Sequence, residues 1–255
     1  MNFTLNHIPE RTKSPRQNGI TMVMDKGLSL RQCEDMISVS SKYIDIVKLG
    51  FGTAFLTENL KEKIKLYQDA NFKVYFGGTL FESFIARDMF MEYEELVHRF
   101  QLDTVEVSDG CIILDHEKKC EYINRLSQKT TVLSEIGSKS ADILIPPSKW
   151  IEMMDKELKA GSWKVIAEAR EGGNVGIFKD SGEVRSDLIE QIIIEIPNEK
   201  ILWEAPQKSQ QVWFIKLLGH NVNLGNIAPN EVIPLECLRQ GLRGDTFFDF
   251  LPKNR

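Results

Sequence analysis

The chain has 255 residues, is 42% hydrophobic and 27% charged, and carries a formal net charge of -5. This is ordinary globular composition, long enough for one large α/β domain. The acidic balance argues against generic duplex nucleic-acid binding, and apolar runs of about six residues fall far short of the roughly 20 that span a bilayer.

The first nineteen residues, MNFTLNHIPERTKSPRQNG, are polar and have no apolar stretch of the kind a secretory signal needs. They read as an N-terminal extension, residues 1–19, that caps one mouth of the body formed by residues 20–255. Cys33, Cys111, Cys120 and Cys237 are scattered without a CxxC pair, as expected of reduced thiols in a cytoplasmic protein.

From residue 20 onward a short β-branched run alternates with a longer amphipathic one, eight times over. The strands read as 20–24, 44–49, 73–76, 104–107, 131–135, 164–167, 201–203 and 221–224. The helices between and after them read as 29–43, 58–71, 82–101, 117–127, 147–160, 186–196, 208–218 and 230–240. Helix starts are signalled by Thr57, by Pro146-Pro147-Ser148 and by Pro229. The strands are short and apolar, as when both sheet faces are covered. The polar residues that close them (Asp25, Lys48, Gly77, Glu106, Glu135, Glu168, Glu204, Asn223) recur every 19–36 residues, enough for one βα unit each. Eight such units in one undivided domain predict a (β/α)8 TIM barrel. An open doubly wound sheet is the alternative, weakened by the lack of a GxGxxG after the first strand.

In a barrel the strand C-termini converge on one mouth, where active sites lie. Four successive strand ends there carry Glu106, Glu135, Glu168 and Glu204. Taken singly, a glutamate at a strand end is usually solvated or salt-bridged. Four in one concavity repel and require cations. Lys48, Lys139, Arg170 and Lys208 supply some of these, and a hard divalent cation, Mg2+, bound by carboxylate oxygens is the natural supplement. Gly78-Thr79 and Gly225-Asn226 suit close approach of backbone amides to an oxyanion. Asp25 and Lys26 are expected to complete the mouth as an ion pair. Ser108, Asn223 and Asn226 offer neutral polar contacts; in strand 221–224 the alternation sends Asn221, Asn223 and Gly225 inward. His220 precedes the last strand, at the wrong mouth for catalysis. Trp150–Met154 and Phe247-Phe248-Asp249-Phe250 are candidate patches for self-association into a homo-oligomer, or else pack on their own barrel.

Motifs at nearly every strand end resemble one known family. Gly19–Gly27, Val47–Thr53, Gly78–Glu82, Glu106–Gly110, Glu168–Glu171, Glu204-Ala205-Pro206, Gln210-Gln211-Val212-Trp213-Phe214-Ile215, Asn221–Asn226 and Leu242–Thr246 are together similar to phosphosulfolactate synthase. Phe51, Ala54 and Ser138 depart from that pattern, where Trp, Ser and a second Lys are usual. The resemblance implies a barrel enzyme of sulfonate metabolism, one branch of which leads to coenzyme M. It would add sulfite to phosphoenolpyruvate with Mg2+, giving 2-phospho-3-sulfolactate. Sulfur attack on the methylene carbon pushes charge onto the carboxylate as an aci-carboxylate, which a metal stabilises and a general acid then protonates. Lys139, at the position of a family lysine, is the expected acid, and Lys48 and Arg170 are the expected anion ligands. The same barrel acting on another nucleophile or enol phosphate, or a non-catalytic stress-related member of the family, are the other readings.

Overall fold

The computed structural model describes residues 3–137, 145–169 and 172–252. Among these are eight strands: β1 (Thr21–Asp25), β2 (Ile46–Leu49), β3 (Lys73–Phe76), β4 (Thr104–Val107), β5 (Thr131–Ile136), β6 (Ser162–Ala167), β7 (Ile201–Glu204) and β8 (Leu224–Ile227). They run in the order β3-β2-β1-β8-β7-β6-β5-β4 with parallel ladders, and β3 and β4 lie side by side at the seam. The result is the expected (β/α)8 barrel.

Ten α-helices among the described residues surround it: α1 (Leu30–Ser40), α2 (Thr53–Leu56), α3 (Leu60–Asp69), α4 (Gly78–Ile85), α5 (Phe90–Arg99), α6 (His116–Ser127), α7 (Pro147–Ala160), α8 (Ser186–Glu195), α9 (Lys208–Leu218) and α10 (Val232–Arg239). Ser29 caps α1 in a reciprocal box with Gln32, and a Pro at the first turn starts α7. The helix expected over 82–101 is two helices, broken where Asp88 adopts a left-handed φ of 55°. Thr57 starts no helix: it is the C-cap of the short α2, and Asn59 opens α3.

Side chains alternate between two cores. Val23, Val47, Val105, Val165 and Trp203 face outward to the helices. Ile20, Met22, Ile46, Tyr75, Leu133, Ile166 and Leu202 fill the barrel interior. Trp150 and Met154, considered as a surface patch, are buried under the helix layer, whereas Phe248 is 77% exposed.

β8 begins three residues later than expected, and Asn223 does not approach the active mouth. Its Oδ1 accepts from Ile20 N at 3.1 Å and its Nδ2 donates to Ile201 O at 2.9 Å, so it ties three strand starts together at the opposite end. The N-terminal extension lies at that same end. Arg11 pairs with Glu236 of α10 at 3.0 Å and donates to Gly19 O and to Asn221 Oδ1. Arg16 pairs with Asp45 at 2.9 Å, and Gln17 O accepts from Lys164 Nζ. The fully buried Arg239 donates to His220 O and Val222 O, each at 2.7 Å.

The Arg11–Glu236 pair is nearly dehydrated, with side chains 9% and 6% exposed, so removing one partner strands the other's charge. Arg11→Met is expected to cost about 3–5 kcal/mol in urea unfolding. Arg11→Met with Glu236→Met should recover most of that loss. A single variant that unfolds like the parent would show that the clasp adds nothing.

Candidate active site

Period-two alternation stacks a charged layer directly over the apolar interior. Two residues beyond Ile46, Leu133, Ile166 and Leu202 stand Lys48, Glu135, Glu168 and Glu204, and Glu106 joins them from β4. All five are buried. With Met24, Phe51, Gly78, Thr79 and Asn226 they line a cavity of about 240 Å³ at the C-terminal mouth.

Lys48 stands at the centre of this layer. Its Nζ lies 3.0 Å from Glu106 Oε2, 3.3 Å from Glu135 Oε2 and 3.3 Å from Glu204 Oε1. Three carboxylates surround its ammonium, so Lys48 stands as an internal counter-ion to Glu106, Glu135 and Glu204. Burial alone would lower the Lys48 ammonium, but the charges of Glu106, Glu135 and Glu204 outweigh it and hold it well above its ordinary value. Among the described residues, this one ammonium stands in a layer with four buried acids. Burial pushes the Glu204 carboxyl up to about 7; Lys48 opposes that shift and Glu135 adds to it.

The backbone supplies further donors. Gly78 N donates to Glu106 Oε1 at 2.6 Å, and Ala169 N to Glu204 Oε2 at 3.0 Å. Gly78 has no substitute: a Cβ there would overlap Ser108 Oγ and Glu106 Oε1. Glu135, Glu168 and Glu204 each offer an oxygen, and these oxygens lie within 4.8 Å of one another, the spacing of a set that can hold one cation. Asn226 sits in a bulge, with a left-handed φ of 56° where the β1–β8 register slips, which aims its side chain at the cavity. Its buried Oδ1 has no hydrogen-bond partner among the described residues.

Other expected site residues lie elsewhere. Asp25 points outward, behind β1, and pairs with Lys63 of α3 at 3.0 Å, not with Lys26. Its Oδ2 also accepts from Tyr67 at 2.9 Å, and its Oδ1 from Gly27 N and Leu28 N, each at 2.7 Å. It therefore shapes the loop after β1, on which Lys26 is exposed. Ser108 donates to the buried Glu82. Gly225 lies below the cavity, where a Cβ would meet Met22 at 2.7 Å. Lys139 and Arg170 lie outside the described residues. Sequence reasoning missed Met24 and Phe51 as cavity walls, and Glu82 as a buried acceptor one helical turn beyond Gly78. It also missed Lys119 of α6, which donates to Glu135 O at 2.6 Å while pairing with Asp109 at 2.8 Å and Glu157 at 2.9 Å.

The family model of (2R)-phospho-3-sulfolactate synthase (ComA) matches residues 9–245. Phosphosulfolactate synthase of Methanothermobacter thermautotrophicus is 41% identical, over 93% of this chain and 95% of that protein. The Bacillus subtilis protein of the same name is 40% identical, over 94% and 97%. The heat-stress-associated 32 protein of Arabidopsis thaliana is more distant, 22% identical over 90% and 88%. Among solved structures, 3-hexulose-6-phosphate synthase from Salmonella typhimurium superposes with a TM-score of 0.58 over 88% of this chain and all of that one. At 13% identity that likeness shows the fold alone.

The raised Glu204 carboxyl has a consequence for stability. Between about pH 4.3, where an unfolded glutamate ionises, and about 7, the folded chain keeps a proton that the unfolded chain has lost. Stability without added metal is therefore expected to be greatest below that window and to fall as pH rises through it. The drop should approach about 1.4 kcal/mol per unit. Glu204→Gln should flatten this part of the profile; urea titrations of both proteins from pH 4.5 to 8 that show parallel slopes would refute the assignment.

Proposed function

The chain belongs to the (2R)-phospho-3-sulfolactate synthase family of enzymes, and from that premise we propose that it adds sulfite to phosphoenolpyruvate, with Mg2+ as cofactor, to give 2-phospho-3-sulfolactate. The observation that carries this reading is the buried, carboxylate-rich cavity around Lys48, set at the mouth where barrel enzymes act. Its volume, about 240 Å³, is below the usual range for drug-sized ligands and suits small substrates.

The donor set fits a hard cation. Glu135, Glu168 and Glu204 offer carboxylate oxygens and Asn226 an amide oxygen. An all-oxygen set of this kind selects Mg2+ over the softer metals that prefer nitrogen and sulfur. Bound there, Mg2+ would supply a Lewis acid for the carboxylate oxygens of the substrate.

The chain's own residues carry the remaining tasks. The reaction joins the sulfur lone pair of sulfite to the methylene carbon of phosphoenolpyruvate. The double-bond electrons move toward the carboxylate, and a proton is delivered to the carbon bearing the phosphate ester. Lys48 keeps a fixed positive charge beneath that developing charge and holds Glu106, Glu135 and Glu204 in place. Lys139 is assigned the proton donor, and Arg170 a ligand of the substrate anions, whose planar oxygens match its guanidinium. Thr79 lines the cavity and Lys26 lies on the loop after β1, both within the reach of an anionic substrate's polar groups. Met24 and Phe51 form the apolar part of the wall and exclude water from it.

Purified protein with phosphoenolpyruvate, sulfite and Mg2+ is expected to form a new phosphate ester in the phosphorus NMR spectrum. EDTA should abolish it. No sulfonate product under either condition would overturn the proposal. Lys139→Ala should lower kcat by about 10²–10⁴-fold with little change in phosphoenolpyruvate affinity; wild-type turnover would remove Lys139 as the acid. Glu168→Gln should weaken Mn2+ binding, read by electron paramagnetic resonance, by more than about tenfold.

A further inference from the structure

The Gln210-Gln211 pair opens the Gln-Gln-Val-Trp-Phe-Ile stretch of α9, yet the reaction gives neither residue a task. Both side chains are buried, 1% and 0% exposed. Gln210 Nε2 donates to Gly173 O at 2.7 Å and to Gly182 O at 3.2 Å, while its Oε1 accepts from Gln207 N at 3.1 Å. Gln207 Nε2 donates to Gly172 O at 2.7 Å. Gln211 Nε2 donates to Ala205 O at 3.1 Å, directly after Glu204.

The loop after β6 is shaped to this amide. Gly173 has φ +65°, and a Cβ there would lie 2.5 Å from Gln210 Nε2. From the anchored Gly173 the backbone turns back on the end of β6. Ile177 N donates to Glu168 O at 3.0 Å, and Gly176, at φ +69°, packs so close to the Glu168 carbonyl that any side chain would overlap it. From the Gln210 amide a path therefore leads to Gly173 and, along the backbone of residues 173–177, to the carbonyl of Glu168.

We infer that Gln210 is a positioning residue: its side-chain amide clamps the loop after β6 and so holds the Glu168 carboxylate in register with Glu135 and Glu204. Gln211 does the same, more locally, for the end of β7. A neutral double donor is the group the position requires. Two carbonyl oxygens face it, so a carboxylate of the same shape would repel them, and an alanine would leave them unpaired in a buried setting. The inference rests on the reading of Glu168 as a cation ligand.

The test uses the full chain and Mn2+ alone as the probe. Gln210→Ala and the isosteric Gln210→Glu are each expected to weaken Mn2+ binding, read by electron paramagnetic resonance, by about 10–100-fold, the loss typical of outer partners of metal ligands. The melting temperature should move by only a few degrees. Trypsin should cut after Lys179, inside the clamped loop, several-fold faster than in the wild type. Gln207→Ala, which removes only the bond to Gly172, should give a smaller change of the same sign and stands in if a Gln210 variant does not fold. Unchanged Mn2+ affinity in both Gln210 variants overturns the positioning role even if trypsin cuts faster. Unchanged cleavage overturns the clamp itself. A wild type that binds no Mn2+ defeats the reading of Glu168 as a cation ligand, and with it the register role, while the cleavage comparison still decides the clamp.

Discussion

The structure depends on a single ammonium group held among carboxylates inside the barrel. At about 3 Å and an effective dielectric near 20, each Lys48–glutamate contact gains about 5 kcal/mol of attraction, while each dehydrated ion costs several. With Glu106, Glu135 and Glu204 all within 3.3 Å of one Nζ, the attraction is shared but the repulsion among the acids is not removed. Glu204 answers by holding its proton up to about pH 7, and Glu168 adds a fourth acid to the layer. Such an arrangement is poor for stability, since apolar residues of similar volume would serve a core at least as well. Among the described residues, the carboxylates are concentrated where three oxygens lie within 4.8 Å of one another.

Holding that layer open requires support from outside the barrel, and the helices provide it with buried charges of their own. Lys63 reaches from α3 to Asp25 at the end of β1. Lys119 reaches from α6 to the carbonyl of Glu135 and to Asp109 and Glu157. Lys63 neutralises a side chain at a strand end, and Lys119 satisfies a strand-end carbonyl together with two carboxylates. The amides of Gln210 and Gln211 do comparable work without charge. Cations thus approach the strand ends from behind, where they neutralise without entering the cavity and competing for the carboxylates that face it.

Much of this was legible in the sequence, and the failures have physical causes. Eight apolar runs at steady spacing demand a closed parallel sheet, and the glutamate ending a strand falls inward because the alternation carries it there from Leu133, Ile166 or Leu202. The rule fails at β8, where the left-handed Asn226 inserts a bulge that two-residue periodicity does not anticipate. The bulge turns Asn226 into the cavity, while Asn223 stands at the other end of the barrel because the strand begins only at Leu224. The rule holds for Asp25, which shares the outward face of Val23 and pairs with Lys63; the expected pair with Lys26 ignored that alternation. Which helix lysine would reach which strand end depends on tertiary packing, and no local pattern around Lys63 or Lys119 distinguishes them from surface lysines.

The two mouths are built on opposite principles. At the closed end the starts of β1, β2, β7 and β8 are tied: Asn223 bridges Ile20 and Ile201, Arg239 gathers the carbonyls of His220 and Val222, and the extension closes over them through Arg11 and Arg16. Two arginines there are matched by carboxylates, Arg11 by Glu236 and Arg16 by Asp45, whereas Arg239 meets carbonyl oxygens. At the open end, among the described residues, four buried carboxylates stand around Lys48, and the backbone approaches so closely that only glycine fits at positions 78 and 176. Rigidity at the closed end allows the open end to keep its geometry despite the repulsion among its carboxylates. A barrel whose open mouth held apolar residues of similar volume in place of these carboxylates would be the more stable protein.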